Sequence, residues 1–217
     1  MWPGDNGWGL AEGNPSDLQE IRQLLLNGKN KIADSIFVDK FLTKNITRSH
    51  QTMGDLWISF EDAAYSDYKR TLDMNNAAVR SSYKINGAAV KQEVIASFPD
   101  DVLAIHYTTE SPNGLTASIS MSRPDDQGHA TAKTFIDEGI LVMQGEVTQY
   151  EGQFKEKKDP ITQGVKFDTR VQVKHKGGSI RYTANSIDLK NVKEVTIYLV
   201  ANTSYYHSDY IEKSKKQ

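Results

Sequence analysis

Residues 79–95 constrain the fold more than any other stretch. Val79, Tyr83 and Ile85 alternate with Arg80, Ser82 and Lys84; beyond Asn86-Gly87, Val90 and Val94 alternate with Lys91 and Glu93. A period of two puts one face of a strand in a core and the other in water. Asn-Gly between two such runs predicts a type I′ hairpin, because both central residues of that turn take positive φ. The chain is therefore expected to be built on antiparallel β-sheet.

The same alternation recurs along the chain. Leu56, Ile58 and Phe60 alternate with Trp57 and Ser59. Leu115, Ala117, Ile119 and Met121 alternate with Thr116, Ser118 and Ser120. Val165, Phe167, Thr169, Val171 and Val173 oppose Lys166, Asp168, Arg170, Gln172 and Lys174, which predicts a wet face for the second set. Gly177-Gly178 predicts a hairpin into Ile180, Tyr182 and Ala184. Val102 to Thr108 and Val195 to Val200 are fuller apolar runs; the second reads as buried on both faces. With Ile140 to Met143, roughly nine or ten strands at short spacing predict a sandwich. Residues 146–164 read as a long loop.

Helix signals precede the strands. Ser16 with Gln19 has capping-box spacing, Leu18, Ile21, Leu24 and Leu25 mark a face, and Gly28 stands where a helix ends. A second helix is expected over about Lys29 to Leu42, with Ile32, Ile36 and Phe37 inward. The expectation is a mainly β chain, an antiparallel super-sandwich with a short helical pair near the N-terminus. It is expected to form one domain: residues 1–52 turn-rich plus the helical pair, 53–204 the sandwich strands, and 205–217 a linker or tail.

Composition narrows function mostly by exclusion. The 217 residues carry 26 basic and 28 acidic side chains, so no basic field points to nucleic acid or an anionic membrane. No apolar run reaches about 18 residues, so no transmembrane helix is expected. The lysines of 155–158 and 213–216 read as a solvated loop and a solvated tail. There is no cysteine, which removes disulfide and thiolate chemistry. His50, His106, His129, His175 and His207 lack metal-ligand spacing, so no metal and no cofactor are expected. His106 reads as a core or interface residue. Asp100-Asp101 and Asp125-Asp126 each follow a proline and read as turn formers rather than catalytic pairs. Trp2, Trp8 and Trp57 read as packing residues, with stacking on sugar rings as the alternative. Trp57 is out of phase with Leu56 and Ile58, so it points outward from its strand or against a second layer. No motif here supports catalysis by itself.

Several segments, in order, carry a resemblance. Met53-Gly54-Asp55-Leu56-Trp57-Ile58-Ser59-Phe60 resembles the Gly-Asp-Leu strand of glycoside hydrolase family 95, the inverting α-L-fucosidases. Asp67-Tyr68-Lys69-Arg70-Thr71-Leu72-Asp73-Met74 is similar to that family's Tyr-x-Arg-x-Leu-Asp segment. Gln92 to Asp101 is similar to its Arg-Glu-x-Phe-Ala-Ser-x-Pro-Asp segment, with Gln92 in place of the arginine. Met1-Trp2-Pro3-Gly4 and Ala201-Asn202-Thr203-Ser204-Tyr205 resemble the Leu-Trp-x-Gly and Thr-Ser-Tyr of the family's first domain, and Ile21 to Ala33 matches in kind.

The resemblance implies an N-terminal super-sandwich followed by a helical linker, an (α/α)6 barrel and a C-terminal β domain, with the general acid and the water-activating residues in the barrel. No position here matches those catalytic motifs, so no catalytic residue is expected in this chain. The implied partners are the catalytic helical barrel of the same parent chain and, through it, fucosylated or related glycans. The implied location is periplasmic or secreted in a bacterium. Gln51, just before the Gly-Asp-Leu strand, and Trp2 are the candidates for a substrate rim, with turn or packing roles as the alternative. A free-standing carbohydrate-binding or adhesion sandwich is the competing expectation.

Overall fold

The computed structural model describes residues 13–42, 51–60, 64–125, 130–148 and 164–217. The chain divides into two compact units, one of Thr52–Val147 with Val165–Gln217, the other of Trp2–Gln51 with Thr148–Gly164.

The smaller unit holds the helical pair, α1 (Pro15–Leu26) and α2 (Asn30–Phe41). Asn14, not Ser16, caps α1. Its side chain accepts from the Ser16 and Asp17 amides, and Asp17 bonds back to the Asn14 amide at 2.9 Å. Proline then occupies the first helical position, where its missing N–H costs nothing. Gly28 ends the turn at φ +71°, as its position predicts. Ile21 and Ala33 are the buried helical residues, whereas Ile32 and Phe37 are exposed. Phe37 stacks on Phe41 along the helix instead of pointing inward, with centroids 5.6 Å apart.

The larger unit is a sandwich of two antiparallel sheets. The large one contains β2 (Tyr65–Asp73), β3 (Ala78–Ile85), β4 (Ala88–Ser97), β5 (Val102–Thr109), β7 (Ala132–Asp137), β8 (Ile140–Glu146), β9 (Lys166–Lys176) and β12 (Glu194–Thr203). Its spatial order is β2-β3-β4-β5-β12-β9-β8-β7. The small sheet contains β1 (Asp55–Phe60), β6 (Leu115–Ser122), β10 (Ser179–Tyr182) and β11 (Ser186–Val192), in the order β1-β6-β11-β10. Among the described residues twelve strands thus replace the nine or ten expected.

The inner faces interlock through Ile119, Met121, Ile187 and Leu189 of the small sheet and Ile105, Leu141, Met143, Phe167, Val171 and Ile197 of the large one. Ile119, Met121, Phe167 and Val171 are residues that alternation assigns inward. Asn86 and Gly87 take φ of +49° and +83°, as the β3–β4 hairpin requires. Gly177-Gly178 does turn the chain, both at positive φ, but makes no hairpin. β9 lies in the large sheet and β10 pairs with β11 in the small one, so the two glycines form a corner between layers.

The tail is a short helix, α3 (Tyr210–Lys216), packed on β9 and β12. Ser214 is buried there, and Asn202 Nδ2 donates to its hydroxyl at 3.0 Å. This corrects the wet face expected on β9 at Asp168 and Arg170, while Lys166, Gln172 and Lys174 are exposed as expected. Asp168 and Arg170 are buried, with Arg170 Nε donating to Asp168 Oδ1 at 2.8 Å and Gln144 Nε2 to Asp168 Oδ2 at 2.7 Å. Burying the pair is tolerable only because these bonds satisfy it.

Candidate functional site

The two sheets differ in width, and the difference leaves functional surface. β1, an edge of the small sheet, lies over β5, where Phe60 meets Tyr107 edge-on at 5.8 Å. β2 and β3 form the far edge of the large sheet, and β2 is exposed along nearly its whole length. Its inner face carries a tyrosine cluster. Tyr65 and Tyr68 lie with ring centroids 6.2 and 6.0 Å from Tyr83.

Residues three apart on a strand normally face opposite ways. Here the register shifts between Ser66 and Lys69, so Asp67 and Tyr68 together oppose Tyr83. Asp67 takes φ +55° and pairs with Lys84 at 2.7 Å. A bulge of this kind re-aims a side chain, and it turns Tyr68 onto the face of Tyr65. Burial first, then the neighbouring phenols of Tyr107, Tyr65 and Tyr68, push the Tyr83 phenol well above its ordinary pKa. Gln92 Nε2 donates to the Tyr107 phenol at 2.6 Å behind the cluster. Tyr65, Tyr68 and Leu72 remain 59, 65 and 63% exposed, a ledge of large side chains on one face of β2.

The opposite face of the same strands is polar. A groove of about 460 Å³ runs over Lys69, Thr71, Arg80, Lys91, Glu93 and His106. Arg80 bridges Asp73 at 2.7 Å and Glu93 at 2.5 Å. Asn76 and Arg80 hold the Asp73 carboxyl down to about 2. His106 Nδ1 lies 2.9 Å from the Thr196 hydroxyl, which ties the ring to the sheet.

Glycoside hydrolysis needs one carboxyl raised to act as an acid. The carboxylates displaced here, Asp73, Asp188 and Glu194, all move down, each held chiefly by side-chain hydrogen bonds. Asp100 accepts from Ser97 Oγ at 2.5 Å within its turn, and Asp101 sits at φ +51°. Among the described residues no cluster of histidine and carboxylate side chains could hold a metal.

Of the rim candidates, Gln51 lies within the described residues. Gln51 is half-buried and its Nε2 donates to the Thr148 carbonyl at 3.2 Å, so its amide fastens backbone. Trp2 lies outside the described residues, as do Trp8, His50, Asp126, His129 and the segment 149–163. The tyrosine ledge escaped the sequence reading because the bulge breaks the period of two; the Tyr65–Tyr68 spacing was its only trace.

A family profile described as "Glycosyl hydrolase family 65, N-terminal domain" matches residues 1–208. The chain belongs to this family. The glycosyl hydrolase family 65 N-terminal domain accounts for the sandwich and for most of the chain's length. A curated relative, "Alpha-L-fucosidase 2" of Arabidopsis thaliana, is 24% identical over 135 residues, 60% of this chain and 15% of that protein. A solved structure titled "Putative kojibiose phosphorylase from human microbiome" is 13% identical with a TM-score of 0.47, covering 74% of this chain and 24% of that one. The chain thus spans well under a third of either protein.

Proposed function

We propose that this chain is the non-catalytic N-terminal sandwich of a glycoside hydrolase resembling the inverting α-L-fucosidases of family 95. It packs on a helical barrel of the parent protein and shapes the barrel's rim. The observation that carries this reading is the uncovered ledge of Tyr65, Tyr68, Leu72 and Tyr83, apolar surface on a sheet twice as wide as the sheet facing it. Large apolar side chains exposed together on one sheet face mark a protein contact. The downward-held carboxylates support assigning the chemistry elsewhere, and the distant fucosidase relative supports the substrate class.

In the parent, the barrel holds an acid and a base about 6.5–9.5 Å apart to admit water. The sandwich contributes surface and rigidity. The test is direct. The isolated chain is expected to show no turnover of an aryl α-L-fucoside, and turnover by it alone would overturn the reading. In the full parent polypeptide, Y68S with L72S is expected to lower the unfolding temperature of the barrel; an unchanged transition would remove the ledge from the contact.

A further inference from the structure

The outer face of the small sheet differs in kind from the tyrosine ledge. Asp55, Trp57 and Ser59 point to water from β1, and Ser118, Ser120 and Ser122 from β6. The register sets two rows across the strands. One runs Trp57–Ser120–Ser186, the other Ser59–Ser118–Asp188–Arg181. At the ordinary strand spacing the second row spans about 14 Å.

Trp57 is 53% exposed, yet it is not loose. Its indole N–H donates to Ser122 Oγ at 2.8 Å, a diagonal cross-strand contact that fixes the ring in one orientation. Beside it lies a connected polar network. Asp188 accepts from Ser118 Oγ at 2.9 Å, from Ser186 Oγ at 3.2 Å and from Arg181 Nη2 at 3.0 Å. Arg181 before all else, then the serines, holds the Asp188 carboxyl below its usual range, so it stays an acceptor. The hydroxyls of Ser59 and Ser120 have no partner among the described residues.

We infer that this face is a binding platform for a neutral glycan chain, which stacks one pyranose ring on Trp57 and bonds its hydroxyls along the Ser59–Arg181 row. The chemistry selects this occupant. A protein partner needs an apolar centre to its contact, and among the described residues Trp57 is the one large apolar side chain in the outward phase of this sheet. A sugar ring has an apolar C–H face that suits an indole and a rim of hydroxyls, each both donor and acceptor. Serine, paired carboxylate and guanidinium complement that rim. The Asp188–Arg181 pairing leaves the row without net charge, which favours a neutral chain over a sulfated or carboxylated one. The fixed indole lowers the ordering cost of binding.

The platform would exist whatever bond the parent cleaves, so it can be tested on the isolated chain without measuring hydrolysis. The isotope-labelled chain is titrated with maltotetraose, cellotetraose and fucosyllactose. Each titration is followed at the Trp57 indole N–H resonance, assigned with W57F, and for W57A at the backbone amide resonances of Ser59, Ser118, Asp188 and Arg181. A saturable shift with at least one of these sugars is expected. W57A should bind about tenfold or more weakly, a loss of at least about 1.4 kcal/mol, and D188N should weaken binding several-fold. If W57A fails to fold, S122A takes its place, since it frees the indole but keeps it. No saturable shift with any of the three sugars overturns the proposal. So does unchanged affinity in W57A or S122A, or a shift produced by protein concentration alone.

Discussion

Gly54 shows how a sequence motif can be structural. It takes φ +144°, and an added Cβ would lie 2.8 Å from the Ser122 carbonyl oxygen and 2.5 Å from Met143 Cε. G54A is therefore expected to destabilise the chain by on the order of 1–3 kcal/mol in urea unfolding. Gly87, at φ +83° with nothing within 4 Å, provides the control, because G87A carries only a backbone cost of about 1 kcal/mol. Asp73 offers a pH signature. Its carboxyl is depressed to about 2 in the folded chain against about 3.9 unfolded. Such a group stabilises above the unfolded value and loses that contribution as pH falls through the folded one. Wild type should lose more stability than D73N between about pH 4 and pH 2, measured by denaturant midpoints across that window; equal losses would contradict the assignment.

At the level of elements, β9 and α3 act together. The Asp168–Arg170 pair is buried and further held by Gln144, so removing Asp168 leaves the buried Arg170 to the half-exposed Asp137 at 3.6 Å. D168N is expected to cost about 3–5 kcal/mol, whereas D168L with R170M should recover most of that loss. Thermal unfolding of the two variants separates a stability role from a mere cost of burial. The alternation along β9 was legible, and its phase was right: Phe167, Val171 and Val173 do face the core. On the other face Lys166, Gln172 and Lys174 are exposed as expected; the burial of Asp168 and Arg170 was not legible, because α3 packs against β9 only after the chain has travelled some forty residues further. β2 was missed because its bulge destroys the period, and β7 and β11 because Ala132–Asp137 and Ser186–Val192 are short and rich in polar residues. The Asn86-Gly87 hairpin was legible because its turn chemistry is local. Gly177-Gly178 has equally local chemistry, but which sheet receives the next strand is decided by long-range packing.

For the whole molecule, the unequal widths of the two sheets matter most. The ledge of Tyr65, Tyr68 and Leu72 is exposed and not woven into the core cluster. Replacing all three by serine should leave the stability of the isolated chain within about 1 kcal/mol. It should also raise the concentration at which the chain self-associates, measured by sedimentation. A large loss of stability would mean that the ledge is core. The strand order has a consequence of another kind. β12, near the end of the chain, lies between β5 and β9 and is their common neighbour. On the ribosome the β2–β5 meander and the β7–β9 meander are therefore finished long before they can join. Each waits with one open edge, at Val102–Thr109 and at Lys166–Lys176, until Glu194–Thr203 emerges. Open edges recruit wrong strands, so a pause in translation before residue 194 leaves this domain vulnerable to aggregation in a way that its finished fold conceals.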